Sequence, residues 1–177
     1  MKLSKKGKQL QGEIERIKNT AYKFRGDDCA NRITVLKMER DAIIRSRVLL
    51  DCLMIEEVMS LIIMDYVLHD SPKWKSIKYF GRIKRYRLLY DKILTYIPPF
   101  QKLNILKDII NLPRNIERIL RRIFNLRNVL AHVFTIDYTK EQEVEYAGRT
   151  IFDVDGFEKY VEEANQSAIF LFDKLKL

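Results

Sequence analysis

The longest apolar segment of the chain, residues 48–68 (VLLDCLMIEEVMSLIIMDYVL), constrains its fold most, because it is long enough to span a bilayer. Four acidic residues interrupt the segment: Asp51, Glu56, Glu57 and Asp65. Charges are costly in a membrane interior. The segment therefore predicts a buried core helix and no membrane partner. The chain has only six glycines and four prolines in 177 residues, which favours long regular elements with few tight turns.

Helical periodicity recurs along the whole chain and predicts a mainly all-α fold. We expect helices at about 2–24, 31–69, 79–97, 101–111 and 113–134, with a last helix from Asp155. The apolar side of the first helix is predicted to hold Leu10, Ile14 and Ile17, and that of the last helix Phe157, Tyr160, Val161, Ala164 and Ile169. Before that last helix, VFTIDY (133–138) and EVEYAGRTIF (143–152) alternate as the two strands of a β-hairpin do. The pattern predicts one domain, residues 1–177: a bundle of four to five helices with a hairpin elaboration at about 133–152.

The net charge of +9 is unevenly distributed. Residues 71–92 carry eight basic side chains against one acidic one, whereas residues 137–177 carry ten acidic and five basic ones. A basic middle suggests a surface that faces a polyanion, with nucleic acid as the first candidate. A solvated helix face explains any single cluster equally well. The candidate RNA-binding residues are Lys84, Arg85 and Arg87 in this middle segment, and Arg121 and Arg122 further on.

Cysteine usage and motif content exclude several classes of protein. Cys29 and Cys52 are isolated, which fits neither a disulfide framework nor a C-x-x-C metal site. The chain has no P-loop, no G-x-G-x-x-G, no G-x-S-x-G and no H-E-x-x-H. A secretory signal has an apolar run after its basic residues, and residues 1–18 have none. We therefore expect a cytoplasmic protein without a metal or other cofactor.

The stretch RNVLAH, residues 127–132, is the most distinctive candidate site. At about 100° per residue, its helix has one apolar stripe, made of Ile116, Ile119, Leu120, Ile123, Leu126, Leu130 and Phe134. Arg127 falls inside this stripe, while Asn128 and His132 share another face. An arginine in an apolar stripe needs a partner, and Glu56 and Glu57 are the candidates for a supporting ion pair.

These residues admit a structural and a chemical interpretation. In the structural one, Arg127 is a buried ion-pair partner and His132 lies at a frayed helix end. In the chemical one, the histidine moves protons near neutral pH and the arginine binds phosphate oxygens. Together they could help an RNA 2′-hydroxyl attack its adjacent phosphate without a metal. One histidine does not easily serve both the attacking and the leaving oxygen, so two copies in a symmetric dimer are chemically attractive.

RNVLAH has the form R-N-x-x-x-H and resembles the R-x(4–6)-H signature of the HEPN superfamily, in which a polar residue often follows the arginine. The resemblance implies a helical bundle with the motif on a late helix, and a composite, metal-independent ribonuclease site formed by two protomers. By this resemblance Arg127 stabilises the scissile phosphate, His132 is the general base or acid, and Asn128 orients the phosphate or its partners. The product would carry a 2′,3′-cyclic phosphate.

One departure narrows the resemblance. HEPN toxins paired with minimal nucleotidyltransferase antitoxins often read R-x4-H-x-Y, where the tyrosine is adenylylated, but Phe134 occupies that position here. Neutralisation by adenylylation is therefore not expected at this position, and a defence-associated or stand-alone HEPN ribonuclease fits better than that toxin subgroup. We expect a metal-independent endoribonuclease of a prokaryotic defence or toxin–antitoxin type system, acting on RNA as a homodimer, with an antitoxin or regulatory protein as a possible partner. The alternatives are a non-catalytic HEPN-like module for RNA binding or dimerisation, and a basic helical interaction protein.

Overall fold

The computed structural model describes residues 5–21, 27–68, 84–132 and 144–175. These residues form α1 (Lys5–Ala21), α2 (Asp27–Val67), α3 (Lys84–Lys92), a 3-10 helix (Leu94–Tyr96), α4 (Pro99–Ile109), α5 (Arg114–His132), strands β1 (Glu145–Tyr146) and β2 (Arg149–Thr150), and α6 (Val154–Lys174). The mainly all-α fold predicted from the periodicity is confirmed, with a small hairpin before the last helix.

Prolines mark the helix boundaries in the middle of the chain. Pro98 precedes α4 in an extended conformation and Pro99 is its first residue, a position where a missing N–H is tolerated. Pro113 precedes α5, and its carbonyl accepts the N–H of Glu117 at 3.0 Å. In the region predicted as one helix, 79–97, the α-helix ends at Lys92 and is followed by the 3-10 helix Leu94–Tyr96.

The hairpin differs in detail from the predicted one. Its predicted first strand, 133–138, lies outside the described residues, and the predicted second strand folds back on itself. Ala147 and Gly148 form the turn with φ of 52° and 77°, the left-handed geometry that suits two-residue hairpin loops. Glu145 pairs with Thr150 and Tyr146 with Arg149. The alternation of the sequence did not reveal this turn, because alanine is an uncommon residue at positive φ.

The described residues group into two compact units: Met1–Leu50 with Asn125–Glu163, and Asp51–Phe124 with Ala164–Leu177. We refer to these as the first and the second unit. Helices α2, α5 and α6 contribute residues to both units. The expectation of a single domain stays a prediction.

In the first unit, α1 packs against α2. Leu10, Ile14 and Leu36 form a buried apolar cluster with Ile17 and Ile43 at its edge, which confirms the predicted apolar side of α1. The hairpin is held to α6 by Tyr146. Its hydroxyl donates to the buried Glu163 carboxylate at 2.6 Å, and its ring meets that of Tyr160 edge-on at 5.4 Å. A buried carboxylate needs such a donor, so this bond fixes the hairpin.

In the second unit, α5 contacts both α4 and α2. The rings of Phe100 and Phe124 meet edge-on at 5.9 Å, and Cys52 Sγ lies 3.8 Å from the carbonyl oxygen of Ile123. Ile55, Met59, Leu103 and Leu106 are buried. The segment 48–68 is thus part of a core helix, as predicted. Within the described ranges, no helix combines the length and the apolar character needed to cross a membrane.

Helix α6 begins at Val154, one residue before the predicted start, and Asp155 lies in its first turn. The predicted apolar residues Phe157, Tyr160, Val161 and Ala164 are buried. The prediction for Ile169 was wrong, since its side chain is 63% exposed. The buried stripe of α6 continues instead through Ala168 and Leu171, and Ile169 points away from it at 100° per residue.

Among the glycines that the structure describes, Gly156 is expected to be the one least able to accept a side chain without a shift of the backbone. A Cβ there would lie 2.0 Å from the carbonyl oxygen of Thr150, whereas a Cβ on Gly12 would meet nothing within 4 Å. Gly156→Ala should lower the free energy of unfolding by about 3 kcal/mol through backbone displacement. Gly12→Ala, in the interior of α1, should raise it by about 0.5 kcal/mol. Urea unfolding checks both values, and equal effects of the two substitutions would contradict the packing described for the start of α6.

Candidate functional site

The motif RNVLAH occupies the end of α5, in the part of this helix that belongs to the first unit. The predicted apolar stripe of the helix is confirmed as far as Leu130, since Ile116, Ile119, Leu120, Ile123, Leu126 and Leu130 are all buried. Phe134 lies outside the described residues. The buried stripe fixes the rotation of α5, and therefore the direction in which each motif residue leaves the helix.

Arg127 lies within this stripe and is half-buried. Its Nη1 donates a hydrogen bond to Oδ1 of Asn128 at 3.2 Å. The guanidinium is therefore directed away from the apolar stripe and towards the neighbouring polar side chain. A guanidinium carries five N–H donors, so this bond orients the group while using one of them.

The face of α5 beyond Asn128 is open to solvent. Asn125 and Val129 are exposed and Asn128 is half-buried. Residue 132 follows Asn128 by four positions and is the last residue of the helix, which puts its backbone one turn further along the same face. The side chain of His132 is not among those that the structure describes. The structure thus brings Arg127 and Asn128 together and places His132 on their helix.

Glu56 and Glu57 have partners other than the one suggested by the sequence. Lys102 Nζ lies 3.7 Å from Glu56 Oε1, and only 6% of the lysine side chain is exposed. Glu57 accepts a hydrogen bond from the hydroxyl of Tyr90. Burial of Tyr90, together with the bond to Glu57 and its negative charge, raises the pKa of the phenol. Periodicity did not indicate these pairs because they join different helices.

The Glu56–Lys102 pair is expected to contribute strongly to stability. Glu56→Ala would leave a buried ammonium without its carboxylate, which should cost about 3 kcal/mol. Adding Lys102→Met to this variant removes the stranded charge and should restore much of the loss. Glu57→Ala is the matched neighbour and should cost about 1 kcal/mol. Urea unfolding of the four chains measures these differences, and a double variant no more stable than Glu56→Ala would contradict the pairing.

The candidate RNA-binding residues fall into two groups. Lys84 and Arg87 on α3 are exposed, as contact with a polyanion requires; the side chain of Arg85 lies outside the described set. On α5, Arg121 donates to Glu117 at 2.9 Å and to Asn104 at 3.2 Å, and Arg122 is half-buried. Hydrogen bonds from Lys107 and Arg121 lower the pKa of the Glu117 carboxyl. Arg121 is therefore part of a local ion-pair network.

Sequence reasoning missed a buried polar pair on α2. Asp41 is only 4% exposed, and Arg40 lies 2.9 Å from its Oδ1. Burial raises the pKa of the Asp41 carboxyl, against the lowering effect of Arg40. Arg40 also donates to Gln11 of α1 at 3.3 Å, so the pair ties α1 to α2. The spacing of apolar residues does not predict this pair, because the pattern assigns the buried side of the helix to apolar side chains and Asp41 lies on that side.

Two further observations bear on the kind of site that this chain offers. Among the described residues, no group of three or more His, Cys, Asp or Glu side chains is placed to hold a metal ion. A cavity of about 680 Å³ lies in the second unit, lined by Ile62, Asp65, Tyr66, Val67, Ile109, Ile110, Asp173 and Lys174. Arg127 and Asn128 do not line it.

Comparison of the chain with protein-family models, with curated proteins and with solved structures gave no match.

Proposed function

We propose that this chain is a metal-independent endoribonuclease of the HEPN type, acting as a homodimer in a prokaryotic defence or toxin–antitoxin type system. The observation that carries the proposal is the part-buried hydrogen bond from Arg127 to Asn128, on the helix that ends in His132. A guanidinium that is oriented by an amide oxygen keeps further N–H donors for a phosphodiester, whereas a guanidinium locked in a buried ion pair would not.

In the proposed reaction, a neutral His132 takes the proton of an RNA 2′-hydroxyl. The 2′-oxygen attacks the adjacent phosphorus while Arg127 stabilises the negative charge that develops on the phosphoryl oxygens. The bond from phosphorus to the 5′-oxygen breaks, and that oxygen receives a proton from an imidazolium. The products are a 2′,3′-cyclic phosphate and a 5′-hydroxyl. Asn128 holds the guanidinium in position through its side-chain oxygen.

The reaction needs a base on one side of the phosphate and an acid on the other. A single imidazole would have to serve both oxygens in one step. Two copies of His132, one from each protomer of a symmetric dimer, supply both groups. Exposed cations such as Lys84 and Arg87 would hold the RNA backbone, so binding should weaken as salt concentration rises. An antitoxin or regulatory protein that restrains the activity is a possible further partner.

The experiment that tests this proposal measures RNA binding and RNA cleavage side by side. Purified protein is incubated with structured and with unstructured RNA in excess chelator, and the same RNAs are used for binding measurements. We expect the protein to bind and to cleave at least one of the two RNAs. RNA that is bound but stays intact would support the alternative, a non-catalytic HEPN-like module for RNA binding or dimerisation. If the protein neither binds nor cleaves RNA, both the proposed function and this alternative are contradicted.

A further inference from the structure

The cavity in the second unit lies where three helices end. The residues that line it come from the C-terminal ends of α2, α4 and α6, and all of them belong to the second unit. The last carbonyl groups of an α-helix have no N–H partner within the helix, and each helix C-terminus carries roughly half a negative charge. The three helix ends therefore make this cavity attractive to a positively charged ligand.

Two acidic side chains add to this negative potential. Asp65 lies in the last turn of α2 and Asp173 in the last turn of α6, and both line the cavity. An acidic residue in the last turn is unfavourable for the helix itself, and the last turn of α2 has no basic residue to offset it. A carboxylate accepts several hydrogen bonds, so each side chain can bind an ammonium group in addition to partners within the protein.

Among the described residues that line the cavity, Lys174 is the only basic one. Its Nζ lies 5.1 Å from the centroid of the Phe170 ring, which belongs to the same helix and does not line the cavity. The ammonium of Lys174 is thus held beside its own helix. With two carboxylates and one ammonium, the lining has a charge opposite in sign to that of the chain, which is +9.

The rest of the lining is mostly apolar. Ile62 is buried, and Ile109 and Ile110 are half-buried. Tyr66 is 59% exposed, so its ring is accessible, and an aromatic ring attracts a cation. The cavity has a volume of about 680 Å³, within the range of roughly 300–1,000 Å³ that is usual for small-molecule sites. The lining therefore suits a ligand with one positive charge and an apolar body.

We infer that this cavity binds a small organic cation, an alkylammonium whose charged group contacts Asp65 and Asp173 and whose carbon chain contacts the isoleucines. The ammonium donates charge-assisted hydrogen bonds to the carboxylates, and such bonds are stronger than those between neutral groups. Binding at this cavity goes beyond the proposed function and does not depend on it, since Arg127 and Asn128 do not line the cavity.

The first test compares three probes of equal chain length by isothermal titration calorimetry with the full chain: hexylammonium, hexanol and hexanoate. Hexylammonium should bind at least about 10-fold more tightly than hexanol, because hydrogen bonds to the carboxylates add to the apolar contact. Hexanoate should show no binding. Equal affinity for hexylammonium and hexanol, tighter binding of hexanoate, or no binding of hexylammonium would each overturn the inference.

The second test locates the site. Asp65→Asn and Asp173→Asn should each weaken the binding of hexylammonium by about 10-fold. The matched control is Asp108→Asn, because Asp108 is an exposed acidic residue in the last turn of α4 that does not line the cavity. This control should change the dissociation constant by less than about two-fold.

A third lining variant separates loss of binding from loss of folding. Val67 is exposed at the end of α2 and lines the cavity. Val67→Lys should abolish binding of hexylammonium by repulsion, while the thermal midpoint stays the same or rises, because a cation suits a helix C-terminus. Binding that persists in all three lining variants, or that Asp108→Asn weakens as much as they do, would overturn the inference.

Discussion

Replacing His132 with alanine is expected to reduce RNA cleavage by at least about 100-fold, because general acid–base catalysis by a placed side chain contributes on this scale. The loss should appear in kcat, with RNA binding nearly unchanged, since most of the affinity for the phosphate backbone comes from arginine and lysine side chains. The thermal midpoint should also change little, because residue 132 is the last residue of α5. Single-turnover cleavage in chelator is the measurement.

The matched control is His69→Ala, which removes the other histidine of the chain. The sequence places His69 at the predicted end of the long helix, where a cationic side chain suits the helix dipole, so this variant should cleave RNA like the wild type. The wild type should also show a bell-shaped dependence of kcat on pH, from one histidine acting as base and its symmetry mate as acid. Equal rates for His132→Ala and the wild type would remove the catalytic assignment.

Arg127→Lys is expected to lower cleavage by about 100-fold or more, although it keeps the positive charge. A lysine ammonium does not reproduce the planar fork of donors that can contact a phosphate and Asn128 at once, and losing one donor that stabilises a developing oxyanion costs this much in other enzymes. Asn128→Ala should give a smaller loss, because the guanidinium remains but is less well oriented. Rates measured at saturating RNA separate this effect from weaker binding.

The matched control for this series is Arg121→Lys on the same helix. Arg121 is occupied by Glu117 and Asn104, so its replacement should affect stability slightly and cleavage within about two-fold. If both lysine substitutions lowered cleavage equally, the effect would come from general loss of positive charge on α5. A fully active Arg127→Lys variant would show that only a charge is needed at this position.

The helical fold could be predicted because periodicity is a local property. The buried positions of α5 from Ile116 to Leu130 follow directly from the spacing of its apolar residues, and Pro99 and Pro113 mark helix boundaries through their missing N–H groups. The same reasoning placed Arg127 within the apolar stripe and Asn128 on another face; the structure shows both residues half-buried.

Partner choice could not be predicted in the same way. Glu56 is paired with Lys102 and Glu57 with Tyr90, and both pairs join helices that are distant in sequence. No local pattern distinguishes Lys102 and Tyr90 from Arg127 as partners of the two glutamates, since each of the three side chains has the charge or the hydrogen-bond donor that a carboxylate needs. The prediction that Ile169 lies on the buried side of the last helix was wrong for a related reason. An apolar residue type is found both in a buried stripe and on the exposed surface beside it, so residue type alone does not distinguish the two positions.

The most direct test of the central claim, metal-free attack by an RNA 2′-hydroxyl, is the cleavage of a defined RNA in excess chelator, compared with the same RNA carrying a single 2′-deoxynucleotide at the cut. The account predicts that the all-ribose RNA is cut to leave a 2′,3′-cyclic phosphate and that the substituted RNA is not cut at that bond. Cleavage of the substituted RNA at the same bond, or cleavage that appears only when magnesium is supplied, would contradict it.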